Sequence, residues 1–180
     1  MTNSADQQFS SRGFVAGVFR GVRSFRIDEE GFLTGVVFRQ RWEPGVNKAE
    51  CQANHASMPF YSAAGWGIEP SPPLPADHGM DVCRHGFYSY YSNSNDYHQA
   101  GMVSGVIWGW GKEVAVGTRG FRCLRAQIVA LCVTEVYIKH RERTELVRGN
   151  YPDVPFFDSF EEMVEAFPPD LGEEDDRFAA

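Results

Sequence analysis

Val18-Phe19-Arg20-Gly21-Val22-Arg23-Ser24-Phe25-Arg26-Ile27, then Asp28-Glu29-Glu30-Gly31, then Phe32-Leu33-Thr34-Gly35-Val36-Val37-Phe38, reads as two β-strands joined by a tight turn. Side chains alternate along a strand, so Phe19, Phe25 and Ile27 share one face while Arg20 and Arg26 share the other. The turn carries acids at its first positions and glycine at its fourth, which suits a type I turn or a glycine bulge. A β-hairpin therefore opens the fold, and Trp42-Glu43-Pro44-Gly45 ends it.

Strand character returns at Gly86 to Tyr91, pauses over the polar Ser92-Asn93-Ser94-Asn95-Asp96, and resumes at Met102 to Trp110. There Gly105 and Gly109 flank Ile107 on one face, and missing side chains permit sharp curvature or close approach of another group. Val106, Trp108 and Trp110 line the opposite face, as core or as a barrel corner. The apolar run Phe121 to Ile138 is β-branched enough to favour a buried strand, although Leu124, Ile128 and Leu131 keep a helical spacing. The charged stretch Lys139 to Arg148 fits a solvated helix or a ribbon. Asp158-Ser159-Phe160-Glu161 supplies a capping signature for a short helix to Phe167. Phe160, Met163, Val164 and Phe167 form its apolar stripe, and Pro168-Pro169 stops it. The fold class that follows is α+β and β-rich: a curved antiparallel sheet or partly open barrel with a short C-terminal helix.

The chain's 180 residues suit one domain, expected over 13–168, between a disordered N-terminus (1–12) and an acidic tail (169–180). No apolar run reaches the roughly 18–20 residues of a membrane span. Met1 to Arg12 lacks the apolar centre of a secretory signal, so the expectation is a cytoplasmic protein without membrane contact. Charge is uneven. From Asp153 onward ten acids face one base, Arg177, a balance of −9; the net −7 therefore leaves +2 for residues 1–152. Arginines at 20, 23 and 26 and at 119, 122 and 125 fall close together, but +2 is far from the basic balance of a polyanion-binding surface.

The candidate chemistry centres on His78-x4-Cys83-x-His85. Residues two apart on a strand point the same way, so Cys83 and His85 can face one ion. With His78 and Cys51 they make a four-ligand structural zinc set, and His55 is an alternative to one member. Such a site would pin the irregular stretch 52–82, which holds five prolines. Zinc is the one cofactor the residues point to, though usual ligand pairs are separated by two to four residues. Cys123 and Cys132 lie in an apolar segment and read as small buried hydrophobes. The phosphate-cradling, nucleophile-elbow and zinc-deaminase motifs are absent, and no catalytic residue is assigned. For binding, aromatics matter more. Phe87, Tyr88, Tyr90, Tyr91 and Tyr97 gather near a polar loop, with Arg20, Arg26 and Arg122 as anionic contacts and Trp108 as a surface anchor.

The ordered set Trp42-x-Pro44-Gly45-x-Asn47-x-Ala49-x-Cys51, His78-x4-Cys83-x-His85-Gly86-Phe87-Tyr88, Val103-x-Gly105-x-Ile107-x-Gly109-Trp110-Gly111 and Gly120-Phe121-Arg122 resembles a group of small uncharacterised proteins of actinobacteria and their bacteriophages. The resemblance spans residues 20 to 132. Where that group carries Cys-x-Cys this chain has Cys83-x-His85, which keeps two zinc-ligand types. Where the group follows its arginine with Ala-Glu, this chain has Cys123-Leu124 and no carboxylate. The group has no established activity, so the resemblance implies an origin and no mechanism.

The reading that follows is a non-enzymatic module that binds another macromolecule, a host protein if the origin is a phage. The runner-up is a nucleic-acid or nucleotide binder using the tyrosines and arginines, and a zinc-dependent or cysteine enzyme comes third. A protein partner is preferred because no continuous basic track runs through the sequence.

Overall fold

The opening hairpin forms. In a computed structural model that describes residues 14–37, 39–51, 80, 85–92, 102–133 and 141–170, β1 (Phe14–Ile27) turns back into β2 (Leu33–Gly35), with Ile27 opposite Leu33. The Asp28 carboxylate accepts the backbone N–H groups of Glu30 and Phe32 at 3.0 and 2.9 Å, and Gly31 adopts φ +84°. That left-handed backbone favours glycine, so the fourth turn position is set by conformation. The chain continues through β3 (Arg41–Trp42), β4 (Val46–Lys48), β5 (Phe87–Tyr90), β6 (Val103–Val116) and β7 (Gly120–Cys132). Helix α1 (Arg141–Asn150), β8 (Phe156–Phe157) and helix α2 (Phe160–Ala166) complete it.

The described strands belong to one sheet, antiparallel except for β8, which runs parallel to β7. β1 pairs with β6 from Phe14–Ala115 to Phe25–Val103, and β6 returns as β7. β5 adds to the far edge of β7 and touches the far edge of β1 at one pair, Val22–Tyr90. The sheet is thus curled into a partial ring, short of a continuous barrel. Tight curling explains the glycines. A Cβ on Gly21 would stand 2.6 Å from Ser89 Oγ and 2.7 Å from the Tyr90 carbonyl oxygen, and one on Gly105 2.9 Å from Leu131 Cδ2.

Two apolar layers result. Inside the curl, Phe25, Leu33, Trp42, Phe87, Ile107 and Phe121 are fully or almost fully buried. On the outside, Val106, Ala130 and Cys132 are covered by Met163 of α2, with Phe160, Val164 and Phe167 beside it. Ser159 caps α2, its hydroxyl accepting the Glu162 N–H at 3.2 Å, so the capping residue and apolar stripe stand where the sequence puts them. Residues 121–132 form a strand, and residues 141–148 of the charged stretch lie in α1. Tyr151 ties α1 to the first hairpin: its hydroxyl accepts the Leu33 N–H at 2.9 Å and donates to the Trp42 carbonyl at 2.5 Å. Among the described residues no helix is long and apolar enough to cross a membrane.

Candidate functional site

The outer face of β1, β6 and β7 is covered over only part of its length. Strand register sets Arg20 beside Trp108 and Val18 beside Trp110; on the other side of β6, Gln127 faces Trp108 and Arg125 faces Trp110. α2 shields the region around Val106, which is fully buried. Among the described residues the cover reaches Asp170. Its Oδ2 accepts the Arg20 backbone N–H at 2.6 Å, its Oδ1 accepts Nε and Nη2 at 3.1 and 3.0 Å, and its own N–H donates to the Arg20 carbonyl at 3.3 Å. Past this clasp Val18 is 62% exposed and Trp108 42%. Val18 lies diagonal to Trp108 across the β1–β6 pair, with Trp110 directly opposite it.

The other residues singled out by sequence are dispersed. Arg26 is exposed on the same face as Arg20. Tyr90 is buried, and half-buried Tyr88 lies under the Arg122 guanidinium, 5.7 Å from its ring centroid. Arg122 Nη2 also donates to the Met80 carbonyl at 2.9 Å. The tyrosine cluster is therefore divided between the core and a stacked arginine, and Tyr97 lies outside the described residues.

Two of the four expected zinc ligands are described. Ala49 donates its N–H to the Leu124 carbonyl at 2.9 Å, and Phe87 pairs with Cys123. β7 thus brings the ends of β4 and β5 to one point on its edge, and Cys51 and His85 lie just beyond those two ends. His78, Cys83 and His55 lie outside the described residues. Among the described residues no three of His, Cys, Asp or Glu gather as a metal site.

Cys123 and Cys132 are buried, and burial pushes their thiols up to about 12 and about 11. Protonated, buried thiols are poor nucleophiles. The raised values also set a pH dependence. Unfolded thiols ionise near 9.0 while the folded ones stay protonated, so stability is fully present below pH 9 and falls as pH rises above it. Above its pKa in the unfolded chain, each thiol removes about 1.4 kcal/mol per pH unit. Arg23 acts in the opposite sense, but only from its own lowered value of about 10. Urea midpoints should therefore be flat up to pH 8 and drop between pH 9 and 10. A flat profile through that window would mean the thiols are in contact with water.

One residue of chemical interest was missed by grouping the arginines on charge. Arg23 stands on the inward face of β1 with Phe25, and the signal for this was the same two-residue alternation that placed Phe19 and Phe25.

These features define the class of protein: a small, curled, β-rich α+β fold whose outer face is partly sealed by its own C-terminal helix. Comparisons with protein-family models, with curated proteins and with solved structures each find no match.

Proposed function

We propose that this protein is a non-enzymatic binding module that engages a protein partner through the outer face around Val18 and Trp108. The observation that carries the reading is the exposure of these side chains beside a region that α2 seals. Tryptophan is the residue type most enriched among interface anchors, and exposed Arg125, beside the neighbouring Trp110, suits a partner whose apolar surface has an acidic border. The sequence resembles proteins of actinobacteria and of their bacteriophages, and a phage origin would make a host protein the partner. Intramolecular pairing weighs against nucleic acid as the ligand: Arg20 is held by Asp170, Arg41 by Asp28 and Glu30, and Arg122 by Tyr88 and Met80.

A photo-crosslinking amino acid at position 108 should trap a discrete protein adduct in cells, whereas the same group at Leu146, 47% exposed on α1, should not. Trp108→Lys and Val18→Lys should abolish formation of that complex while changing stability by less than about 1 kcal/mol. Equal trapping at both positions would remove the outer face from consideration. So would tight binding of single-stranded oligonucleotides that weakens steeply with salt and is lost in Arg26→Glu with Arg122→Glu, because that is the signature of phosphate contacts.

A further inference from the structure

Strand register carries the outer face beyond Trp108 as far as β4. Residues opposite each other on paired strands share a face. One row therefore runs Arg20, Trp108, Gln127 and Val46 across β1, β6, β7 and β4. The next row runs Val18, Trp110, Arg125 and Lys48. Val46 is 60% exposed, and Arg125 and Lys48 are exposed as well. The face is thus apolar at Val18, Trp108 and Val46, and basic in the corner that β7 and β4 share.

The C-terminal segment is fastened to the first residue of these rows. Asp170 holds the Arg20 backbone N–H and guanidinium through both carboxylate oxygens, and its own N–H bonds the Arg20 carbonyl. Side chain and backbone both take part, so the clasp fixes where the following residues start. These are Leu171-Gly172-Glu173-Glu174-Asp175-Asp176-Arg177-Phe178. With strands about 4.8 Å apart and residues about 3.4 Å apart along them, Arg125 stands roughly 12 Å and Lys48 roughly 16 Å from Arg20. The acids at 173–176 reach roughly 10 to 20 Å from Asp170. They span the distances at which the two cations stand, and Phe178 follows with enough chain to turn back onto Trp108. An anchor this close holds them at an effective concentration on the order of millimolar, so weak surface ion pairs suffice to populate the contact. Acids followed by an aromatic ring also match the apolar surface with an acidic border that this face suits.

We propose that residues 171–180 dock on the outer face of their own chain and compete there with the protein partner. The acids at 173–176 pair with Arg125 and Lys48, and Phe178 lies beside Trp108. The competition, though not the contact, rests on the reading of this face as a partner surface.

The contact is read on purified full-length protein carrying 5-fluorotryptophan, with signals assigned from Trp108→Phe and Trp110→Phe. Reversing the acids (Glu173→Lys, Glu174→Lys, Asp175→Lys and Asp176→Lys) should move the Trp108 fluorine signal by more than its linewidth. The signal of fully buried Trp42 should stay in place. Raising NaCl to about 0.5 M should carry the wild-type Trp108 signal in the same direction, because exposed ion pairs are screened. Arg125→Glu with Lys48→Glu should reproduce the shift, and combining it with the reversed acids should restore the wild-type position. Coincident Trp108 signals in the wild type and the reversed variant overturn the proposal, as does a shift that the charge swap leaves unrescued. A shift that grows with protein concentration replaces docking within one chain by docking between two copies. In cells, a crosslinker at position 108 should trap the partner at least threefold more in the reversed variant than in the wild type. An equal yield overturns the competition. Absence of any adduct in both proteins removes the partner reading and the competition with it, while the tryptophan signals decide the contact on their own.

Discussion

Gly109→Val is expected to lower stability by about 3 kcal/mol or more, which in a chain of this size shifts the thermal midpoint by about 6–12 °C. A Cβ on Gly109 would stand 2.5 Å from Cys123 Sγ and press on the Phe121 ring, and both of those residues are fully buried. Neither neighbour can yield cheaply. Cys123 is held between β5 and β6, and Phe121 packs on Phe19 and Tyr91 at 5.7 and 6.2 Å between centroids. Valine adds two further methyl groups to that collision. Gly149 supplies the control, because nothing lies within 4 Å of a Cβ built there. Gly149→Ala should leave stability unchanged or raise it by up to about 1 kcal/mol, since alanine is the better helix former. The comparison is read from urea midpoints of the two variants. A Gly109→Val protein as stable as the wild type would mean that β6 and β7 do not curl as tightly as described.

The sequence carried the local elements because each had a local cause. Phe19, Phe25 and Ile27 alternate with Arg20 and Arg26, and Asp28 with Gly31 fixes the turn, so the first hairpin follows from neighbours alone. Ser159 and the Phe160–Met163–Val164–Phe167 stripe define α2 in the same way. Ring closure had no such signal. β5 is four residues long, and its place between β7 and β1 depends on strands 30 or more residues away in both directions. The candidate site was legible to the same limit. Alternation says that Val106, Trp108 and Trp110 share a face, but whether that face is core or surface depends on where α2 comes to rest. It covers Val106 and leaves Trp108 open. The clasp between Arg20 and Asp170 joins residues 150 positions apart, and no pattern in either neighbourhood announces it.

Trp42→Ala is expected to cost about 4 kcal/mol, whereas Trp108→Ala should stay within about 1 kcal/mol of the wild type. Trp42 is fully buried, meets Phe25 edge-on at 5.2 Å and lies 4.3 Å from the Phe87 ring. Its carbonyl takes the Tyr151 hydroxyl, so the backbone beneath the lost indole also anchors α1 to the hairpin. Truncation leaves a cavity bounded by those rings and by the Arg23 guanidinium. Water entering it would hydrate the charge and return part of the loss, which keeps the expected value below the upper end for a tryptophan. This compensation is itself measurable. In an Arg23→Met background no charge awaits hydration, so Trp42→Ala should cost more there than in the wild type, by about 0.5–3 kcal/mol. Additive effects would show that Arg23 and Trp42 do not share an environment. Trp108 provides the functional counterpart. Its alanine variant should fold normally and lose the protein complex, which separates the residue that builds the curl from the one that faces a partner.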